Sequence, residues 1–460
     1  MKKLLIGVCA AVAAVVSAFA ETYDGRLIGG AWGTASNWEG GEVVDGVGKK
    51  ITTKWQSITM PYSSGAALTN VTIGSLHVEG TGSGDVTLLS PSGDNSGHSF
   101  GFLTFDSGDA DTASTLVFEP LKSASGAVVN KYATIDVDTI LKNDLKITSL
   151  RESGDAAAAG GAFLRWKGDI SDAGTGHGFT LDCLTEAARM AIFGDNDFSG
   201  DVTVKKGRLE LFARDRATGP ATQLGHDNTI RVKDGGTLEI GNFSFGDDQD
   251  FEIEGLGYNG KGALAVSGQN RTDHPTIAGT VTLTGDAGIG AGVYRDGGGP
   301  QTGNDLDITG QVTDGGEGHS LSLVGTQKLT LSNEANSFKA LHVVNGTVKA
   351  TSAAALGTAE VHTSKTGGLA LVPGLDITDP DLAIAISSDT KLNLETEDGD
   401  VTLASPLEVA PETAGAAQPQ LVKFGPDRLT LKRLGNTGDV YVYGGGLTLD
   451  YSSDTIPSSL

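Results

Sequence analysis

The amino-acid sequence predicts an all-β fold, a β-solenoid in which short strands stack coil upon coil. Three observations lead to this prediction: apolar residues alternate with other residues in many short segments, glycine separates those segments, and several segments repeat. The 460 residues include 67 Gly and only 13 Pro. This glycine share is about twice the usual ~7%, without the proline content of collagen-like chains.

The alternating segments indicate half-buried strands, because period-two alternation places apolar side chains on one face of a strand. We expect strands of about three to five residues, with glycine supplying positive φ at the corners. Only 186–191 and 352–356 could form a turn or two of helix, so the pattern leaves a hairpin-linked sandwich or barrel, or a β-solenoid. The segments are 71–73, 135–137, 145–147, 202–204, 209–211, 281–283, 306–308, 321–323, 329–331, 369–371, 392–394, 401–403, 440–442 and 447–449.

Internal repeats favour the solenoid. Residues 200–211 (GDVTVKKGRLEL) and 438–449 (GDVYVYGGGLTL) share one pattern, and 341–350 is a weaker copy. A G-x-x-x-L-T-L element stands at 325–331 and 425–431, and Asn336 and Asn436 follow it at the same spacing. A Leu-Gly pair at 224–225 and at 356–357 precedes a Gly-Gly pair by nine residues. Stacked repeats bury a continuous core that no repeat can bury alone.

The two best copies also predict which side chains face the core. Alternation sends one set inward and the residues between them outward. We expect outward side chains at Thr203, Glu210, Tyr441 and Thr448. The inward set is Val202, Val204, Leu209, Leu211, Val440, Val442, Leu447 and Leu449.

The order of these elements resembles the autotransporter-associated β-strand repeat of bacterial passenger domains. The segment from Trp32 to Trp38, with Asn37 before the second tryptophan, is similar to the W-x-x-x-x-N-W element that often opens such proteins. The match is best over about 193–449, and over 40–190 only the strand rhythm persists. The resemblance implies a right-handed parallel β-helix that is exported and displayed on the cell surface, often without a known activity.

The chain divides into four predicted regions. Residues 1–20 read as a secretory signal peptide, with two lysines, an apolar run and a final Ala-Phe-Ala. Residues 21–60 form an N-terminal cap region, 61–190 form degenerate solenoid coils, and 191–460 carry the recognisable repeats, the last of which lacks its Leu-Gly and Gly-Gly elements. We therefore expect a protein secreted to the extracellular space or outer cell surface, with the periplasm as a stage in transit.

Charge and cysteine content limit the partners. Lys and Arg number 33 and Asp and Glu 57, a net charge of −24, which argues against nucleic acid and allows at most a peripheral contact with membranes. Surface glycans, other surface proteins and end-to-end self-association remain as expected partners. Cys183 is the one cysteine beyond the signal peptide, so no intramolecular disulfide is expected, and a small buried side chain is the favoured interpretation.

The sequence predicts no metal site, and two stretches come nearest to one. Asp247, Asp248 and Asp250 lie in an acidic stretch, 246–255, whose oxygens could hold Ca²⁺. The alternation after residue 250 favours a solvent-facing strand instead. Residues 315–323 resemble a calcium-binding nonapeptide, but Ser320 stands where the aspartate is required.

The sequence likewise predicts no catalytic site and no cofactor. The alternative to a non-catalytic surface scaffold or adhesin-like module is a carbohydrate-active β-helix enzyme, a polysaccharide lyase or hydrolase. Four tryptophans could form a sugar-binding platform, but an N-terminal cap is the favoured role: Trp32, Trp38, Trp55 and Trp166. The acids that could pair in an enzyme site are Asp169, Asp172, Asp195, Asp197 and Asp201.

Overall fold

A computed structural model gives the structure of the protein. It describes the following residues, and all statements below concern them: 25–27, 30–33, 35–39, 42–59, 70–89, 102–120, 132–151, 163–212, 221–241, 243–266, 274–292, 305–358, 360–378, 384–404, 406–434 and 438–451. The predicted signal peptide, Asn436 and the last nine residues lie outside these ranges.

The described chain is almost entirely β-structure. The strands of the first half are β1 Gly25–Leu27, β2 Gly30–Ala31, β3 Lys50–Thr59, β4 Val71–Ile73, β5 Ser75–Leu89, β6 Leu103–Phe105, β7 Ser114–Phe118, β8 Tyr132–Asp136, β9 Thr139–Leu141, β10 Leu145–Ser149, β11 Phe163–Trp166, β12 Ile170–Ser171, β13 Phe179–Asp182, β14 Arg189–Ile192, β15 Val202–Leu211, β16 Asn228–Val232 and β17 Gly236–Glu239. Those of the second half are β18 Gln249–Gly255, β19 Leu264–Val266, β20 Thr276–Ile277, β21 Val281–Ala291, β22 Leu306–Ile308, β23 Val312–Thr313, β24 Leu321–Leu323, β25 Lys328–Leu331, β26 Leu341–Ala350, β27 Glu360–Leu371, β28 Ala385–Ser388, β29 Lys391–Thr396, β30 Val401–Leu403, β31 Val409–Pro411, β32 Gln420–Phe424, β33 Arg428–Leu431, β34 Val440–Val442 and β35 Gly446–Leu449. Short 3₁₀ turns occupy Ala35–Asn37, Tyr258–Gly260 and Ala354–Leu356.

The strands stack in parallel and in register, which confirms the predicted parallel β-solenoid. Val202, for example, lies opposite Phe179 of the preceding coil and Ile230 of the following one. Coil length varies: Leu321 lies opposite Leu341, 20 residues later, whereas 34 residues separate it from its other partner, Ala287. One extensive sheet joins most strands, and β4, β6, β9 and β12 form a second sheet.

Several strands are longer than the predicted three to five residues, because they continue around a corner. Strand β15 has 10 residues: its first part pairs with β13 and its last part with β14. Gly207 stands at the bend with φ +113°, a backbone conformation that side chains with a Cβ rarely adopt. The alternating pairs 202–204 and 209–211 are thus two faces of one bent strand.

The predicted core is correct for the first repeat copy and only partly correct for the last. Val202, Val204, Leu209 and Leu211 are buried, and Leu447 and Leu449 are half-buried against the core. Val440 and Val442 are instead 38% and 47% exposed, so their predicted inward position is wrong. Among the described strands, β34 pairs only with β32, and no further described coil covers it.

Asparagine and glycine link successive coils at equivalent places in the repeat. Asn336 accepts a hydrogen bond from the Val312 amide at 2.7 Å and donates one to the Ala355 carbonyl at 2.8 Å. Asn196 makes the same two links to its own neighbouring coils. Gly357 follows with φ +74°, and a Cβ on it would lie 2.5 Å from the Phe338 ring.

Of the two helical turns that the sequence predicts, the structure contains one. Residues 352–356 contain the 3₁₀ turn Ala354–Leu356, but 186–191 enters strand β14 instead of forming a helix. Trp32 and Trp38 are buried and pack edge to face at 5.3 Å, near the start of the described chain. Within the described ranges, no helix has the length and apolarity needed to cross a bilayer.

Candidate functional site

Four of the aspartates that could pair in an enzyme site bind groups of neighbouring coils. Asp169 accepts a hydrogen bond from the Asp195 amide at 2.9 Å, and Asp195 accepts one from a threonine hydroxyl at 2.9 Å. Asp197 contacts a histidine of the next coil at 3.0 Å. Asp201 accepts a hydrogen bond from a backbone amide there at 2.9 Å and pairs with Arg231. Each of these carboxylates is thus engaged by an amide or a side chain of a neighbouring coil.

The fifth aspartate, Asp172, holds its own loop, and Asp314 does the same in the nonapeptide-like segment. Each carboxylate accepts hydrogen bonds from the amides two, four and five residues later, at 2.7 to 3.1 Å. Partial burial raises the pKa of each aspartate, but these hydrogen bonds outweigh it and hold the pKa below its ordinary value. The repeated D-x-G-x-G-H signature at 172–177 and 314–319 is the sequence signal of this loop, which sequence analysis missed.

The acidic stretch 246–255 is organised as a strand and not as a ligand shell. Asp247 and Asp248 are exposed in the turn before β18, and Asp250 accepts a hydrogen bond from the Thr280 amide of the next coil at 2.8 Å. Arg231 binds the following carboxylate, at residue 252, at 2.9 Å. Within the described part of the chain, no group of three or more His, Cys, Asp or Glu side chains is arranged to hold a metal ion.

The three tryptophans whose side chains the structure describes do not form an exposed platform. Trp32, Trp38 and Trp166 are buried. Trp166 lies 6.4 Å from the ring of Phe105 inside the coils, and the side chain of Trp55 is outside the described residues. Cys183 is also buried, which raises its pKa to about 12 and makes it unreactive.

A buried network of charged side chains lies on β14, β15 and β17. Arg189 donates two hydrogen bonds of 2.7 Å to Glu210. Arg208 lies 3.1 Å from Glu210, donates to Glu239 at 2.9 Å, and stacks over the Tyr258 ring at 5.0 Å. Glu210 lies on the face of β15 opposite the core residues Leu209 and Leu211, as predicted, but it is only 1% exposed because this network covers it. A network this buried supports the fold and offers no access to a substrate.

An open groove lies on the outer face of β26, β27, β29, β32 and β34. Its volume is about 570 Å³. The floor is low because Gly368 and Ala370 stand in register between the larger residues of the neighbouring strands. We call it the aromatic groove, and its lining comprises Gly346, Thr347, Thr366, Gly368, Leu369, Lys391, Asn393, Glu395, Val422, Phe424 and Tyr443.

Aromatic side chains form one wall of this groove. The rings of Phe424 and Tyr443 stack at 5.4 Å with 14° between their planes, and Tyr441 continues the series at 6.4 Å from Tyr443. Phe424 is 39% and Tyr443 70% exposed. The outward position predicted for Tyr441 is confirmed, but sequence analysis did not identify the wall, because its rings come from two coils.

A buried lysine fixes the strands that carry this wall. Lys423 occupies a core position opposite Leu394 and is buried. Its ammonium donates to the carbonyls of Phe424, of Gly425 at 3.1 Å and of Gly444 at 3.2 Å. Burial lowers the pKa of Lys423, and nearby carboxylates oppose that effect. The lysine therefore joins two successive coils directly beneath the stacked rings.

The polar side of the groove contains one carboxyl group in an unusual environment. Glu395 is half-buried, and this burial raises its pKa above the ordinary value. Glu397, two residues later, is held by Lys328 and by Lys349 at 3.2 Å. The groove thus combines aromatic faces, hydroxyl and amide groups, and one carboxyl that is poorly solvated.

Comparison with known proteins adds no relative. The sequence matches no protein-family model, no curated protein and no solved structure.

Proposed function

We propose that this protein is an exported, non-catalytic β-solenoid that acts as a surface scaffold or adhesin-like module. The solenoid fold supports this proposal, together with the signal-peptide pattern of residues 1–20 and the resemblance of the repeats to bacterial passenger domains. Parallel coils give an elongated body with a long outer surface. Such a body presents binding sites along its length.

The observation that carries the non-catalytic part is the use of the carboxylates. Asp169, Asp195 and Asp201 each bind an amide or a side chain of the adjacent coil. Asp172 is enclosed by its own loop. A carboxylate that acts as general acid or nucleophile has to reach the scissile bond with its partner carboxylate nearby. These aspartates instead stabilise the stacking of the coils.

A carbohydrate-active enzyme is the second candidate, and one observation favours it. Glu395 lies in an open groove with a raised pKa, as a general acid requires, and the carboxyl group of Glu397 follows two residues later. Against this, Glu397 is bound by Lys328 and Lys349, which occupies the oxygens that a nucleophile would use.

The export half of the proposal is tested by expression with the natural N-terminus, followed by cell fractionation and N-terminal sequencing. We expect the protein outside the cytoplasm, beginning at Glu21. Val12→Arg, in the apolar run, is the control and leaves the chain uncleaved in the cytoplasm. Cytoplasmic retention of the unchanged chain would overturn export.

The non-catalytic half is tested by incubating the purified protein with neutral and acidic polysaccharides and measuring new reducing ends and unsaturated sugars. We expect none above a heat-treated sample. Product formation that disappears in Glu395→Gln would establish the enzyme instead.

A further inference from the structure

We propose that the aromatic groove binds a neutral oligosaccharide that lies along the solenoid axis, across successive coils. This inference rests on the proposed adhesin-like function and gives it a site and a ligand class. Three properties of the groove carry it: its shape, its aromatic wall and its charge.

The shape of the groove fits a chain-like ligand. The groove crosses β26, β27, β29 and β32 and reaches Tyr443, which directly follows β34. Four intervals of about 4.8 Å give a length of roughly 19 Å. Because Gly368 contributes no side chain between Thr347 and Asn393, the depression is continuous across coils. A ligand that lies there runs perpendicular to the strands.

The aromatic wall fits the apolar faces of sugar rings. An aromatic face carries partial negative charge, so it attracts the weakly positive C–H groups on one side of a pyranose ring. The rings of Phe424 and Tyr443 stack on each other and both stay exposed, so each ring leaves its outer face and its edge for contact with a sugar ring. Lys423 beneath them holds both coils in place, so the wall is preorganised and little conformational entropy is lost on binding.

The polar groups fit hydroxyl-rich ligands. Thr366, Lys391, Asn393 and Glu395 place hydroxyl, ammonium, amide and carboxyl groups around the same depression. Sites for small ligands commonly combine apolar walls with a few such polar groups that fix orientation. The half-buried carboxyl of Glu395 gains a hydrogen-bond donor when a sugar hydroxyl approaches, which compensates for the solvation that it lacks.

Charge favours a neutral ligand over an acidic one. The chain carries a net charge of −24, which repels polyanions at a distance. Lys328 and Lys349, at the edge of the groove, are neutralised by Glu397 and Asp398. The local arrangement therefore offers no cluster of uncompensated positive charge for a uronate or sulfate chain among the described residues.

The test is isothermal titration of the purified full-length protein with short neutral gluco-, manno- and N-acetylglucosamine oligosaccharides, and with polyuronate oligosaccharides as the acidic counterpart. Tyr443→Ala and Phe424→Ala should each weaken binding of the neutral ligand by about tenfold or more, whereas Tyr443→Phe retains it. The matched control is Phe193→Ala. It removes one ring of another stacked pair, whose ring centres are 4.9 Å apart, and this pair does not line the groove. The substitution should therefore leave the affinity for the oligosaccharide unchanged. Circular dichroism verifies that each variant is folded.

The outcomes separate this proposal from the proposed function. Loss of binding in the two groove variants, with the control unaffected, supports the proposal. If the protein binds a neutral sugar and the groove variants do not weaken that binding, the aromatic groove is not the binding site, although an adhesin-like function still holds. Binding of polyuronate alone, or of none of these ligands, would overturn the ligand class. If the bound oligosaccharide is cleaved, the protein is not non-catalytic, but the aromatic groove is still its binding site.

Discussion

Replacing Asn336 with alanine should loosen the solenoid locally, because this side chain links three successive coils. Asn336 is buried, accepts a hydrogen bond from Val312 at 2.7 Å and donates one to Ala355 at 2.8 Å. Alanine leaves one buried N–H and one buried C=O without these partners, at about 1–3 kcal/mol each. We therefore expect Asn336→Ala to lower the local free energy of unfolding by ~2–5 kcal/mol.

Amide hydrogen exchange is the appropriate assay, since repeat structures open locally and a single global midpoint conceals such effects. A loss of ~2 kcal/mol speeds exchange of the Val312 amide by about 30-fold. Asn333→Ala is the control: the Asn333 side chain donates to a carbonyl at 3.2 Å and accepts from the Ala335 amide at 2.9 Å. Both bonds are exposed to water, so the change should stay within ~0.5 kcal/mol. Equal exchange rates in the two variants would show that the Asn336 side chain does not hold the neighbouring coils together.

Three further predictions follow from glycine geometry, the buried charges and the loop aspartates. Gly357→Ala should destabilise by ~1–3 kcal/mol more than Gly374→Ala in chemical denaturation, because both have positive φ but only Gly357 would place a Cβ against a ring; equal losses would contradict this. Glu239→Ala should lower the free energy of unfolding by ~3–5 kcal/mol, because Arg208 loses a buried ion-pair partner; a loss below ~1 kcal/mol would contradict it. Since hydrogen bonds lower the pKa of Asp314 despite its burial, its stabilisation is present above pH 3.8, the ordinary value, and is lost as pH falls through the lowered pKa. Asp314→Asn should therefore flatten the acid side of the melting temperature–pH curve, and an unchanged curve would contradict this.

Much of the fold could be predicted from sequence because its signals are local. Alternation identified Val202 and Leu209 as core residues, and the pattern of 352–356 predicted a short helical turn, which the structure shows as a 3₁₀ turn before Gly357. Each of these features depends on residues within about ten positions of one another. Strand direction and stacking then follow, because apolar faces of short strands require cover from neighbouring coils.

The candidate site depends on residues that are distant in sequence, and this is why it was missed. Phe424 and Tyr443 meet only because the intervening coil has the length that brings them into register, and coil length varies along the chain. Glu210 shows the same limit: alternation assigned it to the outer face, but Arg189 of another coil binds it there and the carboxylate is buried. Local patterns do not reveal what covers an outward face.

We expect the aromatic groove to hold a neutral oligosaccharide that the protein does not cleave. One NMR sample tests both parts, with the purified protein and the best neutral ligand from titration observed over a day. We expect saturation transfer from protein to sugar protons, its loss in Tyr443→Ala, and anomeric signals that stay constant throughout. New reducing-end anomeric signals, or saturation transfer that Tyr443→Ala leaves unchanged, would contradict it.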